Sequence, residues 1–137
     1  MKIGIDIHGT LDYDPEFWRK MIPLLQALGH QIYIISGPHE EVIYDRLEKL
    51  GIEKDGLYIE SVADYLIDKG DIHWYTNDGN NFWTTDEIWW ASKARLCTDR
   101  EIDVLIDDQY EYCQPELMPN TQFILYQKAR FVCAPKT

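Results

Sequence analysis

Cysteine, positive charge and long apolar runs are all scarce in this chain, and each shortage removes a class of protein. Three cysteines in 137 residues, Cys97, Cys113 and Cys133, are odd in number and show no C-x-x-C spacing. They imply neither a disulfide framework nor a cysteine zinc cluster, and none has a patterned basic or histidine neighbour that would mark a reactive thiolate. Free thiols are expected. Lysine and arginine number 13 against 24 aspartates and glutamates, a net charge of −11. Polymer phosphates would be repelled over most of such a surface, which argues against a nucleic-acid polymer as partner. A small anion is still admissible, because a divalent cation and one lysine suffice for a local positive site. No apolar run approaches the roughly 20 residues that span a bilayer, so no membrane partner is expected. Repeats, low-complexity tracts and linkers are also missing, and residues 1–137 are read as one domain. Met1-Lys2 runs straight into a strand pattern without the apolar core or cleavage site of a signal peptide, giving the expectation of a cytoplasmic location.

What the chain does have begins at Lys2-Ile3-Gly4-Ile5-Asp6-Ile7-His8-Gly9-Thr10. An apolar run ending in an acid, followed at once by Gly-Thr, reads as a buried first strand that delivers Asp6 to its carboxyl edge. In open α/β sheets ligands bind outside that edge. Asp14-Pro15-Glu16 then combines an N-cap, a proline at the first helical position and an acid in the first turn. Phe17, Met21, Leu24, Leu25 and Leu28 supply the apolar stripe of the helix, which Gly29 closes. Gln31 to Ile35 is a second strand leading into Ser36-Gly37-Pro38. Strand, helix and strand together take about 35 residues, the usual size of a right-handed parallel crossover.

Helical spacing returns at Val42, Ile43, Arg46, Leu47 and Leu50, and Gly56 to Glu60 gives a short third strand. Ser61 with Asp64 resembles a capping box that opens a helix through Ala63, Leu66 and Ile67 to Gly70. Ile72 to Tyr75 and Phe82-Trp83 flank Asn77-Asp78-Gly79-Asn80, a hairpin signal that interrupts the alternation of strand and helix. Residues 61–85 are therefore read as an insertion, a small lid or edge decoration. Thr85 or Asp86 caps a helix carrying Lys93, and Asp103 to Asp108 is another buried strand ending in acids. Pro115 and Pro119 bracket a short segment before a last strand from Gln122 to Tyr126, and the tail from Gln127 is basic and weakly patterned. The fold class expected from this alternation is α/β, with a mainly parallel sheet and a small lid.

Three strand ends thus carry Asp6, Ser36 and Asp107-Asp108, and Lys93 precedes the last of these by one helix. A phosphate monoester concentrates negative charge, so transferring its phosphoryl group takes a nucleophile, cations, donors and in-line geometry. Asp6 can attack phosphorus to form an aspartyl-phosphate. Asp6, Asp107 and Asp108 with a backbone carbonyl make an all-oxygen site suited to Mg²⁺. Ser36 offers a hydroxyl donor and Lys93 a positive charge.

On these residues the chain resembles the haloacid dehalogenase-like superfamily, most closely its small magnesium-dependent phosphatases. Asp6-Ile7-His8-Gly9-Thr10 matches the first motif at all but one place, Ile35-Ser36-Gly37 the second, Lys93 the third and Ile106-Asp107-Asp108 the fourth. The resemblance covers the chain apart from the lid and implies a three-layer α/β/α sandwich with a mainly parallel, Rossmann-like sheet. It implies a small phosphorylated metabolite or a nucleotide as substrate, Asp6 and Lys93 as catalytic residues, and Ser36, Gly37 and Lys93 on the phosphate. It further implies Mg²⁺ on Asp6, Asp107, Asp108 and the backbone carbonyl of His8. The departure is His8, where such phosphatases have a second aspartate as general acid and base. Histidine exchanges protons near neutral pH and can do both transfers. The alternative is a phosphate-ligand and metal-binding protein with little or no turnover. Glu111 can orient a metal-bound water or be a surface acid, and His39 can reach the substrate. His30 and His73 are expected to be structural or solvated. Trp74, Tyr75, Phe82, Trp83, Trp89 and Trp90 are read as core and hairpin packing in preference to a stacking platform.

Overall fold

A computed structural model describes residues 1–76 and 81–127. Its main sheet joins β1 (Lys2–Ile5), β2 (Gln31–Ser36), β3 (Tyr58–Ser61), β6 (Val104–Asp107) and β7 (Gln122–Leu125) in the order β3-β2-β1-β6-β7. Every neighbouring pair runs parallel. The chain steps outward from β1 to β3, then returns to lay β6 on the other side of β1, so the sheet reverses direction between β1 and β6. Ligands of such sheets bind at that reversal.

Strand residues alternate between two cores, as the two-residue period demands. Ile3, Ile5, Ile32, Ile34 and Val104 face one side, where α1 (Pro15–Ala27) and α2 (Glu40–Lys49) supply Trp18, Ile22, Ile43 and Leu47. Tyr33, Ile35 and Leu105 face the other, where α3 (Val62–Lys69) and α4 (Asp86–Arg100) supply Val62, Leu66, Ala94 and Leu96. The result is the three-layer α/β/α sandwich expected. Gly4 points into the second core, where a Cβ would come within 2.6 Å of Ile35 Cδ1.

Two expectations need correction. Helix α1 is capped as read, Asp14 accepting from the Phe17 N–H, but it buries a stripe one position away. Trp18 and Ile22 are buried, with Met21 and Leu25 partly so, while Phe17, Leu24 and Leu28 are exposed. Trp18 brings the largest apolar surface, and its indole N–H is satisfied by the Thr10 carbonyl at 3.1 Å. The segment 61–85 also divides in two. Ser61 ends β3, opposite Ser36, and Val62, Ala63 and Leu66 are fully buried, so the first ten residues are core crossover. Only the stretch after Gly70 is decoration, with β4 (Trp74–Tyr75) and β5 (Phe82–Trp83) paired antiparallel. The hairpin turn at Asn77-Asp78-Gly79-Asn80, the basic tail beyond Gln127 and Cys133 lie outside the described residues. Cys97 is a buried free thiol and Cys113 an exposed one. Among the described residues no helix is long and apolar enough to cross a membrane.

Candidate active site

The carboxyl ends of β1, β2 and β6 open into one cleft of about 320 Å³. It is lined by Asp6, His8, Ser36, Gly37, Lys93 and Asp108 from the predicted set. Asp107 lies beneath the floor, fully buried. Asp6 follows β1 directly and extends its pairing, its N–H donating to the Ile106 carbonyl at 3.0 Å. The chain then makes a wide turn in which Leu11 and Asp12 N–H groups donate to the Asp6 and Ile7 carbonyls at 3.3 and 3.1 Å. Gly9 sits in this turn at φ +81°, and a Cβ there would collide with the Asp108 carboxylate. Glycine therefore lets the first and last acidic loops approach each other.

Lys93 is the centre of the floor. Helix α4, capped by Thr85 on the Ile88 N–H, carries it inward until it is 1% exposed. Its ammonium donates to Asp6 Oδ1 at 2.9 Å and Asp107 Oδ2 at 2.5 Å, and lies 4.3 Å from the centre of the Tyr112 ring. Burial pushes the Asp6 carboxyl up to about 7; Lys93 opposes the shift, and Asp107 and Asp108 add to it. Burial raises Asp107 as well, against the pull of Lys93. The lysine is raised as well, which for a base favours the charged form: burial disfavours its charge, but the Asp6 and Asp107 carboxylates outweigh burial.

Oxygens of Asp6, Asp107 and Asp108 all come within 4.8 Å of one another, a group that can hold a metal ion. Asp108 Oδ1 is buried with no hydrogen-bond partner among the described residues, an orphan that a cation would satisfy. Two acids and one lysine in the floor also leave an excess of negative charge for such an ion to balance. An all-carboxylate donor set suits a hard cation.

The β2 exit loop is held from the side by α3. Ser61 Oγ donates to the Pro38 carbonyl at 2.6 Å, Ala63 N–H to the Gly37 carbonyl at 3.0 Å, and Asp64 binds His39 Nδ1 at 2.5 Å. A Cβ on Gly37 would meet the Trp89 ring at 3.2 Å, so the glycine admits close packing of the loop on α4. His39 packs on Phe82 and does not line the cleft. Phe82 in turn contacts Trp89, which ties the hairpin to the cleft wall, while Trp74, Tyr75 and Trp83 are about half exposed and line no part of it. The reading as core and hairpin packing thus holds for Phe82, Trp89 and Trp90, the last edge-on to Tyr112, while Trp74, Tyr75 and Trp83 belong to the hairpin pairing and not to the core. Glu111 belongs neither to the cleft lining nor to the carboxylate group. His30 binds the N-terminal amine, and His73 stacks near Trp83.

Five contributors escaped sequence reasoning, one of them Arg46 of α2, which lines the cleft. Tyr112 and Trp89 wall the cleft, and Gln109 donates its N–H to Asp107 Oδ1 at 3.0 Å. Asp12, four residues after His8, accepts from the Gly9 N–H at 2.7 Å and stands 3.2 Å from His8 Nδ1. That i,i+4 spacing is the one sequence signal that could have found it. A larger depression of about 420 Å³ lies on α1 around Phe17, Met21 and Leu24, but it brings no strand end together, and its one ion pair, Glu16 with Lys20 at 3.6 Å, is on the open helix surface. No family model and no curated protein matches the chain.

Proposed function

We propose that this chain is a cytoplasmic, Mg²⁺-dependent hydrolase of a small phosphate monoester, a phosphatase of haloacid dehalogenase-like type working through an aspartyl-phosphate. The observation that carries the reading is the Lys93 ammonium held between Asp6 and Asp107 at the floor of a cleft that Ser36, His8 and Asp108 also line. Asp6, Asp107, Asp108 and the His8 carbonyl would hold Mg²⁺. When bound, the cation supplies the positive charge that keeps Asp6 ionised near neutral pH and neutralises phosphate oxygens.

In the first step an Asp6 oxygen forms a bond to phosphorus as the ester P–O bond breaks, and protonated His8 gives its proton to the departing alkoxide. Lys93 and the Ser36 hydroxyl steady the transferring oxygens. In the second, neutral His8 takes a proton from water, whose oxygen attacks phosphorus and breaks the bond to Asp6. Inorganic phosphate leaves and the carboxylate is restored. Asp12, bonded to the Gly9 N–H and near His8 Nδ1, orients the imidazole.

The second reading, a phosphate-ligand and metal-binding protein with little turnover, draws on the His8 side chain being 84% exposed, which leaves its proton transfers open to water. Phosphate release from nitrophenyl phosphate, with Mg²⁺ and with chelator, separates the two. Chelator-sensitive turnover that Asp6→Asn abolishes is the expected result; binding without release in the unaltered protein would leave the second reading standing.

A further inference from the structure

Arg46 stands out among the basic residues. It lies on α2, exposed, between the buried anchors Ile43 and Leu47. Every other described lysine or arginine has an ion pair, a carbonyl or an aromatic ring as partner, while the Arg46 side chain has none among the described residues. In a chain with 24 acids against 13 bases, an unpaired guanidinium is unusual. It lines the same cleft as Asp6, Ser36 and Lys93.

A second depression of about 310 Å³ continues from the first, with His8 and Arg46 common to both. Ile7, Leu50 and Lys49 complete its lining with Asp12. The one acid there, Asp12, is engaged by the Gly9 N–H and His8, and Lys49 is paired with Asp45 at 2.9 Å. Arg46 is thus, among the described residues, the unpaired cation along the path that leads from the floor, past His8, onto apolar surface. His8 lies between the two depressions, where the proposed mechanism requires a proton donor to the leaving group.

We infer that Arg46 selects the leaving group: the substrate is a phosphate monoester whose other end carries a second anion, a carboxylate or a further phosphate, which the guanidinium grips two-pronged. The phosphoryl end lies over Lys93, the ester oxygen at His8 and the distal anion at Arg46. Arginine suits this task because its planar fork matches both kinds of anion, whereas a lysine would bind as a point charge. The inference rests on the phosphatase reading above and narrows its substrate.

The test uses matched pairs that differ only in the distal group: phosphoglycolate with ethyl phosphate, 3-phosphoglycerate with glycerol 3-phosphate, and 6-phosphogluconate with sorbitol 6-phosphate. In at least one pair the carboxylate member should show the higher kcat/KM, and Arg46→Ala should lower that preference by ~10- to 100-fold, the usual range for one charge-assisted contact. Arg46→Lys should restore part of it. No preference in any pair, together with none for glucose 1,6-bisphosphate over glucose 6-phosphate, or a preference that survives Arg46→Ala, overturns the inference. If nitrophenyl phosphate is not hydrolysed, the phosphatase reading fails separately. Calorimetric binding of the same pairs to the Mg²⁺-loaded protein then decides: tighter binding of a carboxylate member that Arg46→Ala removes supports the inference, and equal or absent binding overturns it.

Discussion

Lys93 and Arg46 line one cleft, yet the first is buried between two carboxylates and the second is exposed, with no side-chain partner among the described residues. The floor and the rim of the site are built on opposite terms. Floor groups are desolvated, mutually paired and fixed by β1, β6 and α4, so their positions and charges are over-determined. Rim groups, His8, Asp12 and Arg46, stand on a turn and a helix surface, where water competes for every contact. Preorganised charge is worth most where water is excluded, which assigns chemistry to the floor and recognition and proton traffic to the rim.

The largest effect expected is on turnover. Asp6→Asn should abolish phosphate release, since an amide cannot form the acyl-phosphate, while circular dichroism remains that of the folded chain. Mg²⁺-dependent release persisting in a preparation free of other phosphatases would move the nucleophile elsewhere and dissolve the contrast between floor and rim.

Lys93→Met comes next. Removing the lysine leaves Asp6 and Asp107 buried and uncompensated, and breaking a buried pair costs about 3–5 kcal/mol. Denaturant unfolding of the metal-free protein should show that loss, and added Mg²⁺ should recover more stability in the variant than in the unaltered chain. A loss under ~1 kcal/mol, the size of an exposed pair, would mean that the floor is hydrated.

The same floor sets a pH dependence. An ordinary aspartate loses its proton near 3.8, whereas burial holds the proton on Asp6 to about 7. Between those values the folded metal-free protein binds the extra proton, so the contribution of Asp6 to stability is complete below 3.8 and is lost as pH rises to 7. Asp6→Asn does not titrate and leaves Lys93 balanced by Asp107 alone. The variant should therefore gain on the unaltered protein as pH rises from 4 to 7, by on the order of 1 kcal/mol per unit at most. A stability difference that is flat with pH would show that Asp6 is ionised throughout.

The floor was legible in sequence, and of the rim only His8 was, for a physical reason. Asp6, Ser36 and Asp107 end buried parallel strands, and the topology that follows from strand-helix alternation gathers such ends at one edge whatever the loops do. Lys93 could be placed by its position one helix before Asp107. By contrast Arg46 reads only as one position of the helical spacing from Val42 to Leu50, because no local pattern says which cleft a helix surface will border. The hidden stripe of α1 shows the same limit: Phe17, Leu24 and Leu28 compete with Trp18 and Ile22 for burial, and only tertiary packing decides. The segment 61–85 was read as one insertion because the hairpin signal masked the core positions Val62, Ala63 and Leu66 that precede it.

Smaller effects belong to the rim. His8→Ala should slow an alkyl phosphate by ~10²–10⁴-fold, the range of a lost general acid, and nitrophenyl phosphate much less, because nitrophenolate departs without a proton. Single-turnover formation of the aspartyl-phosphate reads this directly, and equal losses on both substrates would remove His8 from leaving-group protonation.

The smallest expected change tests what orients that imidazole. Asp12 stands 3.2 Å from His8 Nδ1 while its other oxygen accepts the Gly9 N–H at 2.7 Å, so the turn and the ring are held by one carboxylate. Asp12→Asn can keep the bond to Gly9 through its amide oxygen but loses the charged partner of the ring. The contact is partly exposed, with 36% of the Asp12 side chain open to water, so its loss is worth only a ~2- to 5-fold slowing. That slowing should fall on the alkyl phosphate and spare nitrophenyl phosphate, because Asp12 acts through His8. The Mg²⁺ concentration for half-activity should not move, since Asp12 lies outside the three-carboxylate group. A shifted Mg²⁺ requirement, or the same slowing on both substrates, would instead assign Asp12 to the Gly9 turn against Asp108 and make it part of the floor.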